Sequence, residues 1–142
     1  MEALEYHIVN GDHLKEFLPQ NERVYPFREA LIEGDSSYDI DELETFFQKR
    51  ADYFKTLFPD ENYNEKVVSE FLKMNQIPSE ATVYFWFGND EFCLRNLAFL
   101  LDVFQNKNWI KKRVLPDNKT CEDFFQKIDF RENSEMIKSK PS

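Results

Sequence analysis

The chain has 142 residues, of which 42% are hydrophobic and 32% charged, a composition typical of one globular domain and not of a disordered chain. Its formal net charge of −9 argues against nucleic-acid binding and against contact with an anionic membrane, because both usually need a basic surface. Two cysteines, Cys93 and Cys121, favour a reducing compartment. The absence of a signal-peptide pattern and of an apolar run of roughly 20 residues predicts a cytoplasmic protein without a membrane span.

The N-terminal part predicts a strand, a polar turn and a helix. Residues 6–9 form a short apolar run, and Asn10-Gly11-Asp12 ends it. Asn-Gly also occurs in two-residue hairpins, but the helical spacing of apolar residues over 13–18 favours a strand–turn–helix order. A second strand is predicted over 23–27, where Pro26 has to lie at the strand end or on a sheet edge because it cannot donate to the ladder.

The central part predicts two helices. Residues 41–58 carry the best helical pattern in the chain, with Asp39 as N-cap and Glu42 in capping-box position. A second helix is predicted over 64–75. The expected buried positions of these two helices are Leu43, Phe46, Phe47, Ala51, Phe54, Leu57, Phe58, Val67, Val68, Phe71 and Leu72.

The C-terminal part begins with the clearest strand, residues 82–87, whose continuous aromatic and β-branched sequence predicts burial on both faces. Gly88-Asn89-Asp90 follows, and Asn89 or Asp90 caps a helix predicted to run to about Phe104. The expected core positions of that helix are Phe92, Leu97, Leu100, Leu101 and Phe104. A strand over 110–115, a short helix over 120–128 and a disordered tail over 131–142 complete the prediction.

Strands that alternate with helices in this order predict an α/β fold. We expect a single domain over residues 1–130, with a small three-layer, Rossmann-like architecture: a largely parallel sheet of about four strands with flanking helices. Ligands of such open sheets bind in the crevice beyond the carboxyl ends of the strands. The polar residues at the predicted strand ends are therefore the candidates for a binding site.

Two of these strand ends have similar polar turns. Asn10-Gly11-Asp12 and Gly88-Asn89-Asp90 each place a carboxylate beside a helix N-terminus, where backbone amides attract anions. Together the turns would hold a small polar molecule, although helix capping alone also explains these residue types. One glycine per turn is far short of a dinucleotide-binding fingerprint, and no Walker-type lysine follows. The sequence therefore names no cofactor.

The charged residues after the second strand leave alternatives open. Arg28 would bind a carboxylate or phosphate of a ligand, or would pair structurally with Glu29, Asp12 or Asp90. Arg50 lies between apolar positions of the long predicted helix. It would reach into a site, or its stem would snorkel to water, which is the interpretation we favour.

Histidine and cysteine give weak signals for catalysis or metal binding. His7 and His13 flank the first turn, and either would serve as a general base, although a single histidine is more often structural. The two histidines and two cysteines show none of the short spacings of zinc ligands, so no metal site is predicted. Cys93, early in a predicted helix, would have a lowered pKa or would act as a small buried hydrophobic residue, the role we favour.

Three blocks of the sequence stand out together: Glu5–Asp12, Phe27–Gly34, and Trp86–Cys93 followed by Asn96. They resemble the signature blocks of a bacterial family, the domain of unknown function 1835, and the resemblance covers about residues 5–104. It implies no activity, but it places motif positions at Asn10, Gly11, Asp12, Arg28, Glu29, Gly34, Asp90 and Asn96. The short polar stretch after Asn106 departs from the family, whose members usually continue into further domain sequence.

Two functions follow as hypotheses. In the first, a pocket at the carboxyl ends of the strands binds or transforms a small polar or anionic metabolite. Asp12 and Asp90 would accept protons or hydrogen bonds, Arg28 would hold an anionic group, and Asn10 and Asn96 would orient the ligand. In the second, the chain is a non-enzymatic interaction or regulatory module that presents an acidic or aromatic surface to a protein partner. The sequence does not decide whether the protein is an enzyme.

Overall fold

The computed structural model describes residues 5–11 and 23–115. Within them the strands are β1 (Glu5–Asn10), β2 (Val24–Phe27), β3 (Thr82–Trp86) and β4 (Ile110–Val114). The helices are α1 (Leu43–Leu57), α2 (Ser69–Asn75), which continues a π-helical turn at Asn64–Val68, and α3 (Glu91–Val103). Asp12, His13, Cys121, the helices predicted over 13–18 and 120–128 and the tail predicted over 131–142 lie outside the described residues.

The four strands form one parallel sheet in the order β2-β1-β3-β4, which confirms the predicted α/β fold. β2 is at the edge of this sheet, where Pro26 pairs with Val9 and its missing N–H is tolerated. β2, the next strand along the chain, lies on one side of β1, and β3 lies on the other side of β1. The strand order therefore reverses between β1 and β3, the point at which open parallel sheets bind ligands.

The described helices pack on one face of the sheet. Ile8, Val83 and Phe85 point towards them and are fully buried. The ring of Phe99 in α3 contacts those of Phe27 and Phe46, with centroids 5.9 and 5.0 Å apart. A second cluster on the opposite face consists of Val9, Val24, Tyr84, Trp86 and Val114. Each fully buried apolar side chain contributes roughly 1.5–3 kcal/mol, and together the two clusters hold the central strands.

The start of α1 differs from the prediction. Its N-cap is Glu42, and no side chain caps the helix. Asp39, the predicted N-cap, accepts a hydrogen bond from the backbone N–H of Asp41 at 2.9 Å instead. Aspartate forms such local turns as readily as helix caps. The predicted capping box was therefore wrong, and the N-cap of α1 is Glu42 instead of Asp39.

Four residues predicted for the core are substantially exposed. They are Leu57 and Phe58 at 48%, Leu72 at 53% and Phe92 at 38%. Helical spacing identifies one face of a helix, but it does not show how far the neighbouring elements extend along that face. Arg50, in contrast, is only 2% exposed, so the favoured interpretation that its stem snorkels to water was wrong.

Residues 5–11 and 23–115 contain no helix that combines the length and the apolar character needed to cross a bilayer.

Candidate functional site

A cavity of about 410 Å³ lies at the carboxyl ends of β1 and β2, a size in the range of small-molecule pockets. It is lined by Gly11, Phe27, Arg28, Glu29, Ala30, Glu33, Arg50, Tyr53, Phe54, Leu57, Phe58, Glu61, Lys66 and Phe92. The cavity therefore reaches from the end of β1 and the start of α3 to the last turn of α1. Gly11 has a φ of +90°, a conformation that glycine adopts without steric cost.

The floor of the cavity is a buried ion pair between Glu29 and Arg50. The Arg50 Nε lies 2.8 Å from Glu29 Oε2, and one terminal nitrogen lies 2.7 Å from Oε1. The Tyr63 hydroxyl donates to Oε2 at 2.5 Å, and the Ala30 N–H donates to Oε1 at 2.8 Å. Each carboxylate oxygen thus accepts two hydrogen bonds. Glu29 is saturated by the protein, which suits it to hold the loop after β2 against α1.

Arg50 also organises the loop that follows β2. Its terminal nitrogens donate to the backbone oxygens of Ala30, Glu33 and Asp35, at 3.0, 2.7 and 3.3 Å respectively. Burial lowers the pKa of Arg50, but the hydrogen bond and the charge of Glu29 outweigh burial and raise it. The guanidinium therefore remains a permanent cation whose donors are all directed at the protein.

Gly34 allows the same loop to pass close to α1. Its φ is +69°, and an added Cβ would lie 2.8 Å from the ring of Tyr53. That ring in turn lies over the Arg50 guanidinium, with 5.2 Å between the carbon of the cation and the ring centroid. Both the backbone conformation and the close approach favour glycine at this position.

Two further cations, Arg28 and Lys66, lie on one wall of the cavity. Arg28 donates to the backbone carbonyl of Lys66 at 3.0 Å. Lys66 belongs to the π-helical turn before α2, and π-helical turns occur frequently at functional sites. The Lys66 ammonium lies 3.6 Å from Glu61, and these two side chains are 41% and 43% exposed.

Another part of the lining is apolar. Phe54, Leu57 and Phe58 come from the end of α1, and Phe92 from the first turn of α3. The rings of Phe54 and Phe58 are 5.0 Å apart. Because three of these four side chains are 38–48% exposed, they leave apolar surface open to a ligand.

Asn10 and Asn96 connect the strand ends without lining the cavity. Asn96 is fully buried, and its amide nitrogen donates to Asn10 Oδ1 at 2.8 Å and to the Glu29 carbonyl at 2.7 Å. Its amide oxygen accepts from the Leu31 N–H at 3.1 Å, and Asn10 donates to the Cys93 sulfur at 3.1 Å. The two asparagines thus hold β1, the loop after β2 and α3 together.

The turn after β3 acts as a helix cap. Asp90 Oδ1 accepts from the Cys93 N–H at 2.8 Å, which keeps the pKa of Asp90 below its usual value. Burial raises the pKa of Cys93, so the alternative of a lowered thiol pKa was wrong. Asp90 is exposed and does not line the cavity.

Arg113 in β4 was missed in the sequence. It is 4% exposed, and it donates to the carbonyls of Phe87 and Gly88 and to Asn89 Oδ1, with shortest distances of 3.2, 2.7 and 2.8 Å. It lies in the run Ile110–Val114, which has three consecutive basic residues. Such a run is typical of a solvated strand, so its pattern gave no sign that one of the three is buried.

The structure thus brings together some predicted site residues and separates others. Gly11, Arg28 and Glu29 line the cavity, Asn96 contacts its supporting loop, and Asn10 contacts Asn96. The lining residues that the sequence did not indicate are chiefly Lys66, Phe58 and Phe92. Helical spacing placed the two phenylalanines in the core, and only their position at the helix ends hinted at another role.

His7 lies on the other face of the sheet from the described helices. Its Nδ1 accepts a hydrogen bond from the Trp86 indole at 3.0 Å, and its ring stacks on Tyr84 with 5.1 Å between centroids. Burial lowers the pKa of His7 to about 4, which keeps it neutral at pH 7. Across the described ranges, no group of three or more His, Cys, Asp or Glu side chains has an arrangement suited to a metal ion.

Comparisons with known proteins add no relative: no family model, curated protein or solved structure matches this chain. The resemblance to the domain of unknown function 1835 therefore stays a prediction. What can be said of the site rests on its own geometry.

Proposed function

We propose that the cavity at the carboxyl ends of β1 and β2 binds a small polar or anionic metabolite. The observation that supports this most is the position of the cavity. Its volume is about 410 Å³, and it lies at the carboxyl ends of parallel strands, where such folds bind ligands. Three residues singled out from the sequence, Gly11, Arg28 and Glu29, line it.

Binding is favoured over catalysis by the state of the side chains. Both oxygens of Glu29 are occupied by hydrogen bonds from Arg50, Tyr63 and Ala30, so this carboxylate is not available as a general base. Among the described residues that line the cavity there is no His, Cys, Ser or Thr. The remaining polar groups are suited to holding a ligand in place.

A thermal-shift screen of a metabolite library tests the proposal. A compound that binds only the folded state raises the unfolding midpoint by mass action. We expect any such shift to shrink in Arg28→Gln and Phe58→Ser, and to be retained in the matched control Arg95→Gln, whose side chain pairs with Glu91 on the exposed part of α3. No shift across the library, or a full shift in both cavity variants, would contradict the proposal.

A further inference from the structure

We infer that the ligand of this cavity is an amphipathic anion, with an apolar body of one or two rings and a single carboxylate, phosphate or sulfonate group. The inference rests on the proposed function and adds the chemical class of the ligand. It follows from a lining that combines the cations Arg28 and Lys66 with three partly exposed apolar side chains.

The acidic group is assigned to the wall formed by Arg28 and Lys66. The Arg28 guanidinium donates to the Lys66 backbone carbonyl at 3.0 Å, so the two residues are neighbours in the lining. The lining as a whole holds three basic and three acidic side chains, of which Arg50 and Glu29 neutralise each other. Guanidinium and ammonium groups bind carboxylates and phosphates through charge-assisted hydrogen bonds.

Two of the three carboxylates in the lining, Glu29 and Glu61, differ in how easily a ligand replaces them. Glu29 is held by a buried, fully hydrogen-bonded pair with Arg50, and it stays in place when a ligand binds. Glu61 lies 3.6 Å from Lys66 in a pair that is 41% and 43% exposed, and such surface pairs contribute only about 0–1 kcal/mol. The acidic group of a ligand therefore takes the position of Glu61 beside Lys66.

The apolar body is assigned to the wall formed by Leu57, Phe58 and Phe92. Eight large hydrophobic side chains in the described ranges are exposed, and three of them line this one cavity. The ring of Phe54, which also lines the cavity, lies 5.0 Å from that of Phe58 and extends the aromatic surface. Covering these side chains with a ring contributes about 25 cal/mol per Å² of apolar surface removed from water, which a purely polar metabolite cannot supply.

Two fluorescent probes of nearly identical shape test this assignment on the full chain. They are 8-anilinonaphthalene-1-sulfonate and N-phenyl-1-naphthylamine, which share the same rings and differ by the sulfonate. We expect the sulfonate to bind about 10-fold more tightly, as one charge-assisted contact allows. Lys66→Gln and Arg28→Gln are expected to remove most of that difference. Phe58→Ser is expected to weaken both probes, and Glu61→Gln to strengthen the sulfonate alone.

Two variants away from the cavity serve as matched controls. Lys73→Gln removes an exposed lysine that pairs with Glu70, and Leu72→Ser removes an apolar side chain that is 53% exposed. Neither is expected to change the affinity for either probe. A loss of signal in Leu72→Ser would show that the probes bind elsewhere and would overturn the inference.

The outcomes separate the inference from the proposed function. If both probes bind equally and only Phe58→Ser weakens them, the cavity binds apolar molecules, and the anion assignment is wrong while the binding site stands. If no cavity variant changes either titration, both the site and the ligand class are wrong. Circular dichroism checks each variant, and if Arg28→Gln does not fold, the half-exposed Lys66 and Glu61 decide the result.

Discussion

Two buried arginines, Arg50 in α1 and Arg113 in β4, hold the loops around them through different partners. Arg50 is 2% exposed and neutralised by Glu29. Arg113 is 4% exposed, and within the described ranges its hydrogen bonds go to neutral oxygens of Phe87, Gly88 and Asn89. The Glu29 carboxylate raises the pKa of Arg50, whereas burial lowers that of Arg113. The Glu29–Arg50 pair in the cavity lining is thus closed and neutral, and the proposed ligand recognition is assigned to the more exposed Arg28 and Lys66.

The largest effect is expected for Arg50→Met. This substitution leaves Glu29 buried without a counter-ion and removes the donors to three loop carbonyls, and breaking such a pair costs about 3–5 kcal/mol. Urea unfolding measures the loss in the free energy of unfolding.

The double variant Glu29→Met/Arg50→Met is the control for that result. It removes both charges, and hydrophobic replacement of a whole buried pair is often close to neutral. We expect the double variant to be more stable than Arg50→Met alone. Equal stability of the two variants would mean that the ion pair is not what holds the loop.

His7 extends the comparison to a buried group that is kept neutral by its burial. Its pKa is lowered from 6.5 to about 4 in the folded protein, so the unfolded chain binds more protons between these values. Stability is therefore complete above about pH 6.5 and is lost as the pH falls towards 4, by about 3 kcal/mol from this group.

His7→Gln isolates this contribution, since its amide oxygen still accepts from Trp86 while the group no longer titrates. Urea unfolding of both proteins between pH 4 and 7 gives the difference curve, in which unchanged groups cancel. A difference that is flat over this interval would show that His7 is not held neutral by burial.

Asn96→Ala tests the connection between the end of β1 and the loop after β2. Asn96 joins Asn10 at the end of β1 to the backbone around Glu29, and its loss leaves the buried Leu31 N–H without its acceptor. An unsatisfied buried group costs about 1–3 kcal/mol, so we expect a loss of about 2 kcal/mol in thermal or urea unfolding. A change below about 0.5 kcal/mol, the size of an ordinary surface effect, would show that the hydrogen bonds of Asn96 do not stabilise the fold.

The smallest effect of this series is expected for Arg113→Met. The partners that it loses are neutral, and Asn89 and Gly88 are accessible enough for water to replace the donor. We expect a loss of about 1–2 kcal/mol, measured under the same conditions as Arg50→Met. A loss as large as that of Arg50→Met would erase the distinction between the two arginines.

The fold class was predictable from the sequence because the order of strands and helices along the chain and the burial of the central strand follow from local patterns. The aromatic run at Thr82–Trp86 is buried throughout, as its composition predicted, and Pro26 lies on an edge strand. The site was only partly predictable. Residues at strand ends, such as Arg28 and Glu29, follow from topology, but the partner of a buried charge depends on tertiary packing. The pairing of Glu29 with Arg50 across 21 positions leaves no local pattern.

The most direct test of the binding site is a series of amide ¹H–¹⁵N correlation spectra of the full chain, recorded on titration with 8-anilinonaphthalene-1-sulfonate. We expect saturable shifts concentrated at the backbone amides of Arg28, Ala30, Lys66 and Phe92, which come from three separate segments around the cavity. Shifts centred instead on other exposed apolar residues, such as Leu72 and Ile110, would contradict it.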